Sequence, residues 1–227
     1  MKAIRLRTEY LVNPLGIDVQ HPRLMWNCEG GVKQSAYQIV TDNWDGGKVE
    51  TSSMHAFYPK ELADRERVNW KIRLFDENDV AGEWSESFFE MGISSWEAKW
   101  ITGDYKVNRN DRYPVDLFRK EFKVESPVEQ ARLYITACGT YEARIGGEKT
   151  GDFYMAPGHT DYRRRVQYQT IDVTGLLKTG KNEITLQQAD GWYRGSCGAW
   201  GLKNQYGIRT KILAKLELTY TSSPGDS

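Results

Sequence analysis

The stretch QARLYITACGTYEARIGGEKTG, residues 130–151, decides how the chain is read. In its first half Ala131, Leu133, Ile135 and Ala137 alternate with Arg132, Tyr134 and Thr136. That period of two belongs to a strand with one face buried. In its second half Tyr141, Ala143 and Ile145 alternate again, and Gly146-Gly147 can supply the positive φ angles of a tight hairpin. The same grammar extends outward on both sides. DLFRKEFKV (116–124), QYQTIDVTGLL (167–177), NEITLQQA (182–189) and TKILAKLELTYT (210–221) each alternate or cluster β-formers between turn residues.

The first ninety-odd residues read the same way, through IRLRTEYLV (4–12), SAYQIVTD (35–42), VNWKIRLFDEN (68–78) and SESFFEMG (85–92). Trp70, Ile72 and Leu74 share one face of the third segment, while Lys71, Arg73 and Phe75 share the other. Trp26, Tyr37, Trp70 and Trp84 read most simply as core aromatics. The polar, turn-rich run GISSWEAKWITGDYKVNRNDRYP (92–114) marks a boundary. Helical periodicity is nearly absent, with a turn or two expected at most in PKELADRE (59–66) and DVTGLLKTG (172–180). The expected fold is therefore all-β: two sandwich domains, a first over residues 1–95 and a second over 98–227.

Composition narrows the function classes. The 227 residues carry 31 basic and 31 acidic side chains, so no global field draws the chain to nucleic acid or an anionic membrane. Eight tryptophans and thirteen tyrosines suit β-structure, and they also suit stacking on sugars. Cys28, Cys138 and Cys197 are odd in number and far apart, which argues against a disulfide framework. The three histidines are equally scattered, so no metal site is assigned from the residues. No apolar run reaches the ~20 residues of a membrane span. The opening MKAIRLRTEY lacks the apolar core of a signal peptide, and the compartment is left open. The ending TYTSSPGDS follows directly on a strand, which reads as a cut within the second domain and an edge strand left uncovered near TKILAKLELTY.

Several motifs resolve into ordinary structure. GLLKTGKN (175–182) nearly matches a phosphate-binding loop, but a strand follows it where that loop needs a helix, so the glycine is a turn and Asn182 a turn residue. There is no GxSxG elbow, and no pair of carboxylates is singled out by its surroundings. YRRRVQY (162–168) would place its arginines on alternate faces if it were a strand, a solvated edge with one inward salt bridge. QQADGWYRGSCGAWG (187–201) stands apart. Its DGWYRG core leaves a strand, so it lies on a loop at a sheet end, with glycines that let the backbone approach a ligand. Trp192 can pack against a sugar, and Asp190 and Arg194 can meet hydroxyls. The other reading has Trp192 and Tyr193 plugging the end of the sandwich, with Arg194 bridging to an acid. The residues alone divide evenly between the two.

The order of motifs resembles a known family. EYLVNPLGIDVQHPRLMW (9–26), SAYQIVTD, NWKIRLFDEN, EWSESFFEMG (83–92) and WEAKWI (96–101) are similar to the N-terminal fibronectin type III-like, immunoglobulin-type domain of bacterial α-L-rhamnosidases. LFRKEFKV, ARLYITACGTYEARIGGEKTG, APGHTDYRRRVQYQTIDVTGLLKTGKN (156–182) and DGWYRG (190–195) are similar to the jelly-roll-like (galactose-binding-like) β-domain that follows in those enzymes. Two positions depart: the family usually has tryptophan where His159 stands, and often asparagine where Asp190 stands. The first domain is also short between TDNWDGG and VNWKIRL.

The resemblance implies an inverting glycoside hydrolase that removes terminal α-L-rhamnose, with its carboxylates in a later (α/α)₆ barrel. This chain alone is then expected to be inert and to hold no catalytic residue. Its role would be to support that missing barrel, or to bind L-rhamnose or plant glycans as a carbohydrate-binding module. Some modules of this kind hold rhamnose with the help of calcium, which makes calcium the one candidate cofactor. The sugar contacts implied are Trp192, Tyr193 and Arg194, with Asp190 as an oxygen ligand and Asp161 and Tyr162 next. The expected partners are a carbohydrate or the catalytic domain.

Overall fold

The structure is a computed structural model that describes residues 1–221, so the expected limit of the second domain at residue 227 lies outside the described residues. The chain divides into two compact units, Met1–Ser95 and Trp96–Ser227, and each is a β-sandwich.

The first unit contains β1 (Lys2–Thr8), β2 (Leu15–Ile17), β3 (Arg23–Glu29), β4 (Ala36–Thr41), β5 (Trp44–Glu50), β6 (His55–Phe57), β7 (Arg67–Phe75) and β8 (Ser85–Met91). One sheet has the order β1-β3-β6 and the other β2-β8-β7-β4-β5. The core between them includes Leu24, Trp26, Ile39, Trp70, Ile72, Leu74 and Phe89. The alternation in β7 is realised as far as Leu74: Trp70, Ile72 and Leu74 are buried while Lys71 and Arg73 are half-exposed. Phe75, expected on the outer face, is instead buried beneath the Lys48 and Arg73 cations. Of the four aromatics expected in the core, Trp26 and Trp70 are buried and Tyr37 is half-buried against it. Trp84 lies instead on the outer face, beneath the Lys71 and Arg73 cations, which sit 5.2 and 4.9 Å from its ring. A wide amphipathic ring can cover long cationic side chains there without entering the core. Buried Gln34 knits this unit locally, accepting from Trp26 Nε1 at 3.0 Å and donating to the carbonyls of Thr51 and Ser53.

The second unit contains β9 (Asp116–Val124), β10 (Val128–Cys138), β11 (Thr140–Ile145), β12 (Glu148–Lys149), β13 (Gln169–Asp172), β14 (Gly180–Ala189) and β15 (Lys211–Tyr220). Its sheets have the orders β13-β10-β15 and β12-β11-β14-β9. Ala131, Leu133, Ile135 and Ala137 of β10 meet Ala143 and Ile145 of β11 in the core. Gly146 and Gly147 take φ of 58° and 89° between paired Ile145 and Glu148, the two-residue turn whose twist matches its strands. Asn182 is buried at the start of β14, where its side chain accepts from the Lys178 amide and donates to the carbonyls of Lys178 and Gly180. The near-match to a phosphate loop is thus a side-chain-closed turn leading into a strand.

Buried Arg132 pairs with Asp172 at 3.0 Å across β10 and β13. Burial pushes the Asp172 carboxyl up, but the Thr174 hydroxyl and amide and the Arg132 guanidinium outweigh it, so it titrates below the ordinary carboxylate value. The two flanks of this sandwich differ. On the β13 side residues 151–168 close it, with Tyr141 bridging to Ala156 and its hydroxyl donating to Gln169 at 2.7 Å. On the other side Ile101 exchanges two backbone bonds of 2.9 Å with Ile212 at the start of β15. Beyond that point a groove of about 810 Å³ opens, lined by Leu117, Phe118, Phe122, Leu186, Leu216 and Leu218 among others.

Helix is as scarce as expected. DVTGLLKTG yields a 3₁₀ turn at Thr174–Leu176, whereas PKELADRE forms no helix. A single helical turn, α1 (Gly191–Arg194), lies in the DGWYRG segment that the sequence reads as loop.

Candidate functional site

The site grows from the end of β14. After Ala189 the chain turns through Asp190 into α1, closed by Arg194 N–H to Asp190 O at 3.2 Å and Gly195 N–H to Gly191 O at 3.1 Å. Gly191 has φ +50°, and a Cβ there would sit 2.7 Å from Thr140 Cγ2 and 2.9 Å from the Thr140 and Gly139 backbone. Only a glycine lets the helical turn press this closely on the β10–β11 connection.

Arg194 then points inward. It is 3% exposed, and its guanidinium donates to Asp111 O at 3.0 Å and to Asp190 Oδ1 at 3.4 Å. It also lies 4.1 Å over the Tyr113 ring, which stacks on Tyr105. Tyr105 in turn donates to Asp116 Oδ2 at 3.1 Å. Arg194 and Asp190 are therefore anchors of the segment, and the guanidinium is not offered to a ligand.

With Arg194 fixed below, Trp192 and Tyr193 are carried toward the surface and meet residues from two other segments. His159 stacks on Trp192 with ring centroids 5.7 Å apart. Tyr162 meets Tyr193 at 5.3 Å and Tyr206 at 5.1 Å, and Tyr193 and Tyr206 are near-parallel. Five rings thus form one plate of two near-parallel pairs, His159–Trp192 at 27° and Tyr193–Tyr206 at 22°, with Tyr162 edge-on or tilted to its neighbours. Trp192, Tyr162, Tyr193 and Tyr206 are half-buried and His159 is exposed. The outward ring of the stack is His159, and Trp192 backs it. Trp200, from the same glycine-rich stretch, is 89% exposed and makes no ring contact with the plate among the described residues.

The electrostatics follow from packing. Burial raises the Tyr162 phenol to about 12 and the Tyr193 phenol in the same direction, so both stay neutral donors over the usual pH range. Tyr162 donates to Gly158 O at 3.0 Å. Asp161 accepts from Arg163 through both carboxylate oxygens, at 2.9 and 3.3 Å, and that guanidinium holds its carboxyl below the ordinary value.

Residues 162–164 are a turn, not a strand: the Arg164 and Arg165 amides both donate to Asp161 O, at 2.8 and 2.9 Å. The three arginines are therefore not on a strand; all are exposed, and Arg163 lies 5.5 Å over the Tyr206 ring. The local cause is Asp161, whose carbonyl and carboxylate recruit the following amides and hold the chain in a hook. Of the six candidate residues, the structure brings Trp192, Tyr193 and Tyr162 into one plate. Asp161 lies at its rim, and Asp190 and Arg194 lie beneath it. His159 and Tyr206 complete the plate, and no periodicity or spacing in the sequence points to Tyr206.

Calcium takes six to eight oxygens, yet Asp161 and Asp190 are each engaged by an arginine. Among the described residues no three His, Cys, Asp or Glu side chains are grouped to hold a metal ion. Among the same residues no helix is long and apolar enough to cross a membrane.

Comparison with known proteins places this geometry. A family model described as the Rha78A-like, N-terminal immunoglobulin domain matches residues 3–95. A second, described as the α-L-rhamnosidase N-terminal domain, matches residues 126–225. An α-L-rhamnosidase of Formosa agariphila is 36% identical over 93% of this chain and 26% of its own length. The crystal structure of native α-L-rhamnosidase from Aspergillus terreus superposes with a TM-score of 0.86 at 33% identity, covering 97% of this chain and 27% of that one. The α-L-rhamnosidase from Dictyoglumus thermophilum superposes with a TM-score of 0.84 at 30% identity, covering 97% and 28%. The chain thus spans about a quarter of the length of the relatives it matches. It belongs to the α-L-rhamnosidase family and corresponds to the N-terminal region of its members, an immunoglobulin-like domain followed by the rhamnosidase N-terminal domain.

Proposed function

We propose that the chain is the non-catalytic N-terminal part of an enzyme releasing terminal α-L-rhamnose. Its two sandwiches, taken as residues 1–95 and 98–227, support and orient a catalytic portion. The observation that carries this reading is coverage: 93% of the chain aligns with a rhamnosidase, yet only 26% of that rhamnosidase is used. The chemistry of the candidate site agrees. A general acid needs a raised pKa and a free proton to give, whereas Asp161 is lowered by Arg163 and Asp190 is bonded to Arg194. The test is an assay of the purified chain with an aryl α-L-rhamnoside. No release above the buffer rate is expected, and saturable turnover would overturn the reading.

The five-ring plate favours a second reading, in which the DGWYRG segment holds a sugar. A 6-deoxy sugar offers an apolar face to the His159–Trp192 stack, beside which the Tyr162 and Tyr193 rings pack. Calorimetric titration of L-rhamnose, with and without calcium, tests this on the intact chain and on Trp192→Ala. Saturable heat lost in the variant supports a binding module. Absence of heat at millimolar sugar leaves the plate as packing.

A further inference from the structure

We infer that two copies of this chain associate antiparallel along the outer edge of β15, about a two-fold axis at Leu216, and cover the groove between β9 and β15. The inference goes beyond a role in a rhamnosidase and does not depend on the sugar-binding reading. Both sheets of the second unit end at this flank, the three-stranded one in β15 and the four-stranded one in β9. An open edge is a template for a further strand unless something blunts it. β9 is blunted. Its row of Phe118, Lys120 and Phe122 lines the groove with an exposed lysine at the middle. β15 is not. The row it turns to the same groove is Ala214, Leu216 and Leu218, uncharged and only half-buried.

The backbone restricts how a copy can add. Ile212 exchanges two bonds of 2.9 Å with Ile101, so the outward-directed amides and carbonyls of β15 belong to Ile212, Ala214, Leu216 and Leu218. Beyond Ile212 no backbone bond joins this edge to another segment among the described residues. Opposed residues of an antiparallel pair share the same bonding parity, so a two-fold axis passes through a residue and not between two.

An axis at Leu216 sets Leu216 against its own copy and Ala214 against the partner's Leu218, which brings apolar side chains of both copies along the groove. On the other face it sets Lys215 against the partner's Glu217, twice by symmetry. These two side chains already meet within one strand at 2.7 Å, so the axis carries an existing alternation of charge into the second copy. The other axes do worse. One at Ala214 needs the bonds that Ile101 already takes. One at Lys215 or Glu217 opposes like charges. One at Leu218 faces Glu217 with the partner's Thr219 and forms no ion pair.

The paired stretch is short, which places the dimer at the weak end of specific association. Sedimentation velocity of the intact chain at low salt, from about 1 to about 200 μM, should therefore move from one chain mass to two. Leu216→Lys sets a lysine against its own copy at the axis and should keep the chain monomeric throughout, with the melting temperature read alongside. Lys215→Glu and Glu217→Lys should each weaken the dimer about tenfold, since two contacts turn repulsive, and the two changes together should restore it to within about twofold.

A chain that stays monomeric to the top of the range leaves the groove to another occupant and overturns the inference. A dimer that Leu216→Lys leaves intact overturns it too, as does a combined charge swap no stronger than either single variant.

Discussion

Replacing Arg194 by methionine should cost about 3 kcal/mol, and the sum can be made contact by contact. The guanidinium bond to Asp111 O at 3.0 Å is a charged–neutral hydrogen bond inside the protein, a class worth ~1.5–3 kcal/mol. The cation over half-buried Tyr113 at 4.1 Å adds about 1 kcal/mol, between the exposed and the desolvated case. The pair with Asp190 adds only a few tenths, because that carboxylate is 40% exposed and solvent screens it. Methionine keeps the apolar stem, so the change removes the fork and not the packing volume. For a sandwich of this size ~1 kcal/mol shifts the midpoint by about 4 °C, so the second unit should melt about 12 °C lower. Differential scanning calorimetry of the whole chain reads this directly. Amide exchange should rise in the 108–113 segment, which Arg194 holds at Asp111 and Asn204 holds at Arg109. A shift below about 3 °C, or unchanged exchange there, would refute the view that Arg194 is the anchor of the plate.

Three further outcomes are expected. Gly191→Ala should destabilise by about 2 kcal/mol or more, since its Cβ would lie 2.7 Å from Thr140 Cγ2 at φ +50°; a melting curve like that of the unmodified chain would contradict this. Gly147→Val should cost about 1–2 kcal/mol through its φ of 89°, while Gly146→Asn should be nearly neutral in the same turn; denaturant midpoints check the pair. The Tyr162 phenol, raised by burial to about 12 from 10.0, holds its proton more tightly in the folded state than in the unfolded chain. Its contribution is thus full below pH 10 and lost as pH rises through 12, so an alkaline melt of Tyr162→Phe should lose that part of the decline.

The fold is legible wherever a strand has one wet and one dry face. The alternations in β7 and β11 name their buried residues and Gly146-Gly147 names its turn, whereas in β10 the face expected to be wet is buried too, with Arg132, Tyr134 and Thr136 only 1–4% exposed. Strands without that signal are silent: WDGGKVE in β5 carries two glycines and an aspartate, and is a strand because β4 pairs with it. Trp84 shows the same limit, since an aromatic just before a strand reads as core until the cations above it are seen. The candidate site is legible in part. DGWYRG declares unusual chemistry, but its division of labour, with Arg194 inward and Trp192 outward, depends on Asp111, Tyr113 and His159 from distant segments. The 162–164 turn escapes sequence reading because one carbonyl, that of Asp161, overrides an apparent strand.

The open flank of the second sandwich has a calorimetric consequence. The heat capacity of unfolding follows the apolar surface newly wetted. Leucine and phenylalanine side chains lining the groove of about 810 Å³ between β9 and β15 are partly wet already. Denaturation therefore adds less apolar hydration than the length of this unit would give. Its heat-capacity increment and denaturant slope fall short of the usual ~12–15 cal/mol/K per residue and of the matching m-value. Its stability curve is accordingly flatter, with a gentler fall toward the cold.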